Sequence, residues 1–177
     1  MISVAVIGGG ASGMAFAVAL KQKRPDIEVT VFEKNPKVLK KILVTGNGRC
    51  NILNFDAVAE NYFEACEFVR PAVEKYAPKK TEAIFRDMGL LLMSEQEGRA
   101  YPISQTAASV VCVLSSAAER AGVKVFTDTP VKSIKKSQGR FVINNDKSFD
   151  FAVIACGGAA APKQGTDGSS FELFKAL

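Results

Sequence analysis

The amino-acid sequence predicts an α/β fold in which helices cover a parallel sheet. The apolar run at residues 4–7 leads into a glycine-rich turn and then into an alanine-rich segment, which is the order of a buried strand, a tight turn and a helix. A second apolar run follows at residues 29–32. Residues 151–155 are fully apolar, as expected of a strand that is buried on both faces of a parallel sheet.

The first helix is predicted from the spacing of small and apolar residues after the glycine turn. These residues share one helical face and comprise Ala11, Met14, Ala15, Val18 and Ala19. Small side chains at these positions suit close packing against a sheet. Pro25 then ends the segment before the second strand.

The middle of the chain predicts a helical insert. Residues 57–88 show short helical patterns with breaks at Pro71 and Pro78, and Gly89 marks a helix end. Residues 90–93 are apolar and predict a short strand. A longer helix follows, which either Ser104 or Thr106 would cap. Its apolar face comprises Ala107, Val110, Val111, Leu114 and Ala118, and Gly122 ends it.

From residue 123 onward the apolar pattern changes to a period of two. Residues 123–126, 131–135 and 140–143 are separated by turn-forming residues, so we predict a β-meander of short strands. Residues 151–155 then return to the main sheet. The predicted order is therefore strand, helix, strand, helical insert, meander and return strand.

The glycine turn follows the pattern Gly-x-Gly-x-x-Gly at Gly8, Gly10 and Gly13. In such a turn the first glycine allows a sharp change of direction, the second lets a pyrophosphate approach the backbone, and the third lets the helix pack closely on the sheet. The N–H groups of Ala11 and Ser12 then face the phosphates at the positive end of the helix. The pattern predicts a dinucleotide site, and an ordinary strand-to-helix turn is the alternative.

Glu33 supports the dinucleotide interpretation. It lies 20 residues beyond Gly13, at the end of the second predicted strand, where a carboxylate can accept a hydrogen bond from a ribose 2'-hydroxyl. Because a carboxylate would repel the 2'-phosphate of NADP, we expect FAD or NAD as the ligand. Lys34 complicates this choice, and a solvated surface lysine is the alternative interpretation of that residue.

Composition and charge limit the class of protein. Of the 177 residues, 47% are hydrophobic and 23% are charged, which indicates one folded domain rather than a disordered segment. The net charge is +5, but the basic residues are spread along the chain with only small clusters such as Lys40-Lys41. We therefore expect a basic surface that helps an anionic cofactor or substrate to approach, and no nucleic acid partner.

The chain contains four cysteines and no histidine. The cysteines form neither a Cys-x-x-Cys pair nor a zinc-like spacing, so we predict reduced thiols without a metal site or a disulfide framework. The lack of histidine excludes Ser-His, Cys-His and His-metal arrangements within these residues. The apolar start has no basic segment and is interrupted by glycines, which indicates neither a signal peptide nor a membrane span, and the cytoplasm is the expected location.

In the glycine turn and several later segments, the sequence resembles the FAD-binding part of a bacterial family of NAD(P)/FAD-dependent oxidoreductases, the BaiN-like or aminoacetone-oxidase-like flavoproteins. The matching segments, which cover nearly the whole chain, are residues 8–13, 41–43 and 46–51, Tyr101-Pro102 with Ser104 and Ala107, and Gly157-Gly158 with Pro162 and Gly165. The resemblance implies a Rossmann-like FAD-binding domain of the glutathione-reductase type, with a parallel sheet, helices and a β-meander. It also implies FAD as the cofactor and hydride transfer through flavin N5 to or from a small organic substrate.

The Gly-Arg-Cys-Asn segment is the most specific part of the match. Gly46 and Gly48 allow close approach of the backbone, Arg49 offers planar donors to phosphate or flavin oxygens, and Asn51 can donate and accept hydrogen bonds. A glycine hairpin with an exposed arginine is the alternative. Cys50 has no histidine to activate it and no neighbouring cysteine to resolve it, so we expect it to pack near the cofactor.

The expected FAD site includes further positions, which are Lys41, Thr45, Val131, Ala155, Gly157 and Gly158. By resemblance, the main chain of Val131 meets the adenine edge, and simple core packing is the alternative. Gly157 and Gly158 follow the return strand, at the edge where open α/β sheets bind ligands, and a plain turn is the alternative for them. Tyr101 could act as a catalytic acid, but a Tyr-Pro pair before a helix is more often a packing device, so no catalytic residue is predicted.

Members of the family continue into an inserted substrate domain and a final segment that covers the flavin. We therefore expect residues 1–177 to be the N-terminal portion of the FAD-binding domain, without those pieces. No second Gly-x-Gly-x-x-Gly follows, so no separate nicotinamide domain is expected, and NAD(P)H is a candidate electron donor. The alternatives are a non-catalytic dinucleotide-binding remnant and a flavin-dependent RNA-modifying protein.

Overall fold

The computed structural model describes residues 1–168 and 170–175. It divides into two compact units, of which the first comprises residues 1–42 and those from 114 onward, and the second comprises residues 43–113. The described strands are β1 (Ser3–Ile7), β2 (Glu28–Phe32), β3 (Leu53–Asn54), β4 (Leu92–Ser94), β5 (Arg99–Pro102), β6 (Lys124–Phe126), β7 (Ile134–Ser137), β8 (Arg140–Ile143), β9 (Lys147–Phe149) and β10 (Phe151–Ile154). The described α-helices are α1 (Ala11–Lys23), α2 (Cys66–Lys75), α3 (Pro78–Asp87), α4 (Ala107–Arg120) and α5 (Phe171–Lys175).

A parallel sheet forms the centre of the first unit, with its strands in the spatial order β10-β1-β2-β6. Val6 in β1 pairs with Val31 in β2 and with Val153 in β10. Strands β1 and β2 are almost fully buried, because each has a neighbour on both sides. The parallel sheet that the three apolar runs predict is therefore confirmed.

Helix α1 packs on this sheet through a face that differs in part from the predicted one. Met14, Ala17 and Val18 are buried, which is the i, i+3, i+4 spacing of a single helical face. Ala11, in contrast, is exposed. The prediction was thus right for Met14 and Val18 and wrong for Ala11, because the buried stripe is centred one turn further along the helix. Helix α4 buries most of its predicted face, namely Ala107, Val110, Leu114 and Ala118.

The antiparallel strands β7, β8 and β9 form a second sheet in the first unit. Its inner face contributes Ile134, Ile143 and Phe149 to a buried cluster that also contains Phe32. The Phe149 ring meets the Phe32 ring edge-on, with 5.8 Å between the ring centroids. The predicted meander is therefore present, and it shares its core with the parallel sheet.

One strand that was predicted to belong to the meander belongs to the main sheet. Residues 123–126 contain β6, in which Val125 pairs in parallel with Val31 of β2. The helix α4 before it returns the chain to the edge of that sheet, as in a strand-helix-strand crossover. The sequence period identifies a strand here but not its partner. The third strand of the meander is instead β9, which was not predicted.

The start of the meander was also predicted too early. The strand expected at residues 131–135 begins at Ile134 and ends at Ser137. The side-chain oxygen of Asn144 accepts the N–H groups of Lys132 and Ser133, at 2.8 and 3.3 Å. These N–H groups are therefore satisfied by a side chain instead of a neighbouring strand, and Val131 lies in a loop.

The second unit contains the antiparallel sheet β3-β5-β4. Tyr101 lies in β5 opposite Met93 of β4, and the sequence analysis did not predict this strand. The strand expected at residues 90–93 is shifted to Leu92–Ser94. The shift occurs because the N–H of Leu90 still donates to the carbonyl of Phe85 in α3, at 2.9 Å.

The helices of the second unit follow the proline pattern only in part. Pro78 begins α3 in its first turn, where the missing N–H has no helical partner to lose. Pro71 was predicted to interrupt the helical pattern, but it lies inside α2. The helix continues through Pro71 because this residue is exposed and the proline removes only one intrahelical hydrogen bond. Gly89 has a φ of +99° after α3, as expected of a helix end. No helix in the described residues is both long enough and apolar enough to cross a membrane.

Candidate nucleotide-binding site

The glycine turn lies at the carboxyl end of β1, between two neighbouring strands. Gly8 has a φ of +109°, and a Cβ atom at this position would lie 2.5 Å from the carbonyl oxygen of Ala155. Its N–H donates to the carbonyl of Phe32 at 2.8 Å. Any side chain at position 8 would therefore strain the backbone and collide with the residue that follows β10.

The other two glycines of the pattern differ in their surroundings. A Cβ atom on Gly13 would overlap the carbonyl oxygen of Gly8, whereas a Cβ atom on Gly10 would have no neighbour within 4 Å. Gly13 therefore allows α1 to contact the turn. Gly10 faces open space, into which a ligand can approach the main chain.

The first turn of α1 offers unused hydrogen-bond donors. Within the part of the chain that the structure describes, the N–H groups of Ala11, Ser12 and Gly13 have no acceptor, and the first turn carries no acidic residue. Ala11 and Ser12 are exposed. These N–H groups lie at the positive end of the helix dipole, which favours an anion. The residues present therefore fit a pyrophosphate.

Glu33 lies directly after β2 and is buried. Its carboxylate joins the glycine turn to the loop that follows β2. Its Oε2 accepts the N–H of Gly9 at 2.7 Å, while its Oε1 accepts the main-chain N–H of Asn35 at 2.8 Å and the side-chain amide of Asn35 at 2.6 Å. The acid that was predicted to bind a ribose is thus held beside the glycine turn. Sequence reasoning missed Asn35, although an asparagine two residues beyond an acid at a strand end is a recognisable turn former.

The two lysines of the predicted site lie on the surface of the first unit. Lys34 is exposed, and its Nζ lies 3.1 Å from a carboxylate oxygen of Asp167, so it forms an ion pair instead of a solvated, isolated charge. Lys41 is also exposed. Neither lysine is buried beside the glycine turn, and contact of Lys34 and Lys41 with a cofactor stays a prediction.

Val131, Ala155, Gly157 and Gly158 also lie in the first unit. Val131 packs against the core cluster around Ile134, and its main-chain N–H and C=O have no partner in the described residues. The N–H of Ala155 donates to the carbonyl of Ile7 at 2.8 Å. Gly157 has a φ of +74°, whereas a Cβ atom on Gly158 would meet open space. The unpaired main chain of Val131 is compatible with an adenine edge as its partner.

The loop that contains the Gly-Arg-Cys-Asn segment belongs to the second unit and has an unusual backbone. Gly46, Asn47, Gly48 and Cys50 all have positive φ angles, of 54°, 51°, 80° and 61°. Residues other than glycine rarely adopt this conformation, and such strain collects at functional sites. The N–H of Cys50 closes the loop by donating to the carbonyl of Thr45 at 3.0 Å. The segment is therefore a fixed loop and not the hairpin that the alternative interpretation proposed.

Arg49 is held by three side chains of the second unit. Its Nη1 donates to Glu95 at 2.9 Å and to Gln105 at 3.0 Å, and its guanidinium carbon lies 4.0 Å from the centroid of the Tyr101 ring. The arginine is thus neither isolated nor fully exposed. Sequence reasoning missed Glu95 and Gln105, because no local pattern links them to a residue so far away in the chain.

Cys50 and Asn51 complete this loop. Cys50 is buried, and burial raises the pKa of its thiol above the ordinary range. The thiol therefore stays protonated at neutral pH, which agrees with packing instead of nucleophilic chemistry. Asn51 is exposed, and its side-chain amide lies 3.4 Å from the carbonyl of Ala100.

A parallel sheet with a glycine turn after its first strand and an acid after its second defines a Rossmann-like dinucleotide-binding domain. More specifically, the chain belongs to the family described as the HI0933-like protein Rossmann domain, whose model matches residues 2–177. The resemblance to this group of bacterial oxidoreductases and the predicted α/β fold are both confirmed.

Two curated relatives match along almost the whole chain. It is 37% identical over 181 residues to a 3-dehydro-bile acid delta(4,6)-reductase of Clostridium scindens, a match that covers 100% of this chain and 44% of the relative. It is 25% identical over 176 residues to a ribosomal RNA dihydrouridine synthase of Haemophilus influenzae, a match that covers 95% of this chain and 43% of the relative. The chain therefore spans less than half the length of these relatives.

Solved structures share the fold at low sequence identity. The crystal structure of Thermovibrio ammonificans THI4 has a TM-score of 0.58 and 18% identity, over 88% of this chain and 57% of that chain. The structure of CtdE in complex with FAD and a substrate has a TM-score of 0.50 and 16% identity, over 89% of this chain and 38% of that chain. FAD, the predicted cofactor, is thus found bound to a protein with this fold.

Proposed function

We propose that this chain is the FAD-binding portion of a flavin-dependent oxidoreductase. The observation that carries the proposal is the glycine turn, whose unpaired N–H groups and open space at Gly10 lie beside the buried carboxylate of Glu33. When bound, FAD supplies hydride transfer through N5 of its flavin ring, and the protein supplies position and electrostatics. The relative that reduces a bile acid derivative supports a small organic substrate for the complete enzyme.

Each part of the first unit has a distinct role in this proposal. The N–H groups of Ala11, Ser12 and Gly13 bind the pyrophosphate, because they have no acceptor in the described residues. Glu33 accepts a hydrogen bond from the adenosine ribose. The unpaired main chain of Val131 meets the adenine edge.

The remaining predicted residues are proposed to contact other parts of the cofactor. Those proposed nearer the flavin are Gly46, Gly48, Arg49, Cys50, Asn51, Gly157 and Gly158, and Arg49 is also a candidate for the pyrophosphate. Lys34, Lys41, Thr45 and Ala155 are proposed cofactor contacts without an assigned part of the cofactor. Arg49 would use Nε and Nη2, since Nη1 is engaged by Glu95 and Gln105. NAD(P)H is the proposed electron donor, and the cytoplasm is the proposed location.

The test is to titrate the purified chain with FAD and to record its visible spectrum and flavin fluorescence. We expect flavin absorption that survives gel filtration and is released by acid. Gly10→Leu, which fills the open space in front of the turn, should abolish this signal while the protein stays folded. Asn61→Ala, a change in the second unit at a side chain that caps a turn, is the matched control and should bind as the wild type does. A folded wild-type protein that stays colourless in excess FAD contradicts the proposal.

A turnover assay separates a functional enzyme from a non-catalytic remnant. FAD-loaded protein that oxidises NADH or NADPH in the presence of an enone substrate supports an enzyme. A remnant that only binds the dinucleotide is supported when neither this chain nor the complete enzyme of the proposal oxidises the nicotinamides.

RNA modification is the second candidate. It is supported by the relative named as a ribosomal RNA dihydrouridine synthase and by the net charge of +5. The test is to measure binding of a ribosomal RNA fragment at several salt concentrations, because contacts with phosphates weaken steeply as salt rises. Salt-dependent binding together with dihydrouridine formation would favour this candidate over a small organic substrate.

A further inference from the structure

Asn35 contacts the carboxylate of Glu33 through two separate donors. Its main-chain N–H lies 2.8 Å from Oε1 of Glu33, and its side-chain Nδ2 lies 2.6 Å from the same oxygen. The third donor to this carboxylate is the N–H of Gly9, 2.7 Å from Oε2. A carboxylate has about four acceptor sites, two on each oxygen. Oε1 is therefore saturated by Asn35, and the one site left is on Oε2.

Asn35 is itself held in place from two sides. Its carbonyl accepts the N–H of Asp128 at 3.1 Å. On the other side, a Cβ atom on Gly165 would lie 2.8 Å from Nδ2 of Asn35. The side-chain amide therefore occupies space that is open only because residue 165 is a glycine, and a side chain at that position would displace it. Because Glu33 is buried, its carboxylate is confined to the orientation that these donors set.

We propose that Asn35 is a positioning residue, which turns the carboxylate of Glu33 so that a single acceptor site on Oε2 faces one ribose hydroxyl. This inference rests on the proposed dinucleotide site. Without the amide of Asn35, one acceptor site of Oε1 becomes free and the carboxylate can rotate about its terminal bond. The site then loses its preference for a ribose 2'-hydroxyl, while the pyrophosphate contacts at the first turn of α1 persist.

The experiment compares the binding of ADP and 2'-deoxy-ADP by titration calorimetry. In the wild type, ADP should bind about tenfold more tightly, the order expected when a hydrogen bond to a charged group is lost. Glu33→Gln should reduce this ratio to about one. Asn35→Ala should reduce it to about twofold while ADP still binds, because the amide of Asn35 does not contact the phosphates.

Two further variants keep the inference falsifiable. Gly165→Ala places a methyl group about 2.8 Å from the amide of Asn35 and also strains the main chain, because Gly165 has a φ of +90°; it leaves Asn35 and Glu33 unchanged and should lower the ratio in the same direction. Asn61→Ala removes an asparagine that accepts a main-chain N–H at 2.9 Å in the second unit, and should leave the ratio at its wild-type value. Melting curves of each variant establish that it is folded under the conditions of the titration.

The possible outcomes distinguish this inference from the proposed function. A folded Asn35→Ala protein that keeps the wild-type ratio of ADP to 2'-deoxy-ADP affinity overturns the positioning role. Wild-type protein that binds both nucleotides equally also overturns it, yet leaves FAD binding standing. Protein that binds neither FAD nor ADP overturns the inference and the proposed function together.

Discussion

The carboxylate of Asp150 accepts two hydrogen bonds from Ser3, one from its main-chain N–H and one from its hydroxyl, both at 2.8 Å. Asp150 lies between β9 and β10, and Ser3 is the first residue of β1. The contact therefore joins the start of the first strand to the turn that leads into its parallel neighbour. Ser3 lowers the pKa of Asp150, first through its hydroxyl and then through its main-chain N–H.

This contact predicts a stability that depends on pH. Because the pKa of Asp150 is lower in the folded state, its contribution is present above the ordinary pKa of 3.8 and is lost as the pH falls through the folded-state value. The free energy of unfolding, measured in urea from about pH 6 to about pH 3, should fall less steeply in Asp150→Asn than in the wild type. Identical slopes for the two proteins would contradict the role of this carboxylate.

Gly13→Ala should destabilise the protein by about 1–3 kcal/mol, the usual cost of overpacking. The added methyl group would overlap the carbonyl oxygen of Gly8, so α1 has to move away from the turn. Gly10→Ala is the matched control, because its methyl group would meet open space. Chemical denaturation of both variants checks this, and an equal loss of stability in the two would show that close packing at Gly13 is unimportant.

Arg49 and Tyr101 should show a measurable energetic coupling. The guanidinium carbon lies 4.0 Å from the ring centroid, and such contacts contribute about 0.5–1 kcal/mol when partly exposed. A double-mutant cycle with Arg49→Met and Tyr101→Leu, followed by denaturant unfolding, measures this term. Tyr101→Phe keeps the ring and should keep the coupling, whereas a cycle that closes to zero would contradict the stacking contact.

The cysteines should differ in their reactivity toward thiol reagents. Burial raises the pKa of Cys50 and of Cys156, and for Cys156 the carboxylate of Glu33 raises it further. Both therefore carry less thiolate at neutral pH, and thiolate is the reactive form. Cys112 is exposed. Mass spectrometry after brief alkylation should find Cys112 labelled before Cys50 and Cys156, and Cys112→Ser should remove the labelling at this site; Cys66, which is half-buried, is followed separately by its own peptide.

Equal labelling rates at Cys50 and Cys112 would contradict this order. The measurement should be repeated at a higher pH, where the labelling of Cys50 and Cys156 is expected to accelerate as their thiols begin to ionise. Labelling of Cys50 and Cys156 that does not depend on pH would indicate that access, and not ionisation, limits their reaction.

The glycine turn and the parallel sheet could be predicted because their signals are local. Gly8, Gly10 and Gly13 lie within six residues of one another, and each has a distinct steric reason to be glycine. The apolar runs of β1, β2 and β10 reflect burial on both faces. In these segments, residues close in sequence determine the structure, so a pattern in the sequence suffices.

The errors arise where a distant residue decides the local structure. Val131 lies outside β7 because the side chain of Asn144 takes the N–H groups that a strand partner would otherwise accept. Residues 123–126 form a strand as predicted, but periodicity cannot reveal that the partner is β2. The contact of Arg49 with Glu95 spans 46 positions in the sequence, and neither residue type indicates the other.

The pairing of β1 with β10 has a consequence for folding during synthesis. Val4 lies opposite Phe151, and Ile7 lies opposite Ile154, so one edge of β1 has no partner until β10 has left the ribosome. Pairings between segments so far apart in sequence form slowly. The nascent chain therefore carries an open edge on its first strand until residues 151–154 have been synthesised, which is the stage at which we expect it to depend on protection from a chaperone.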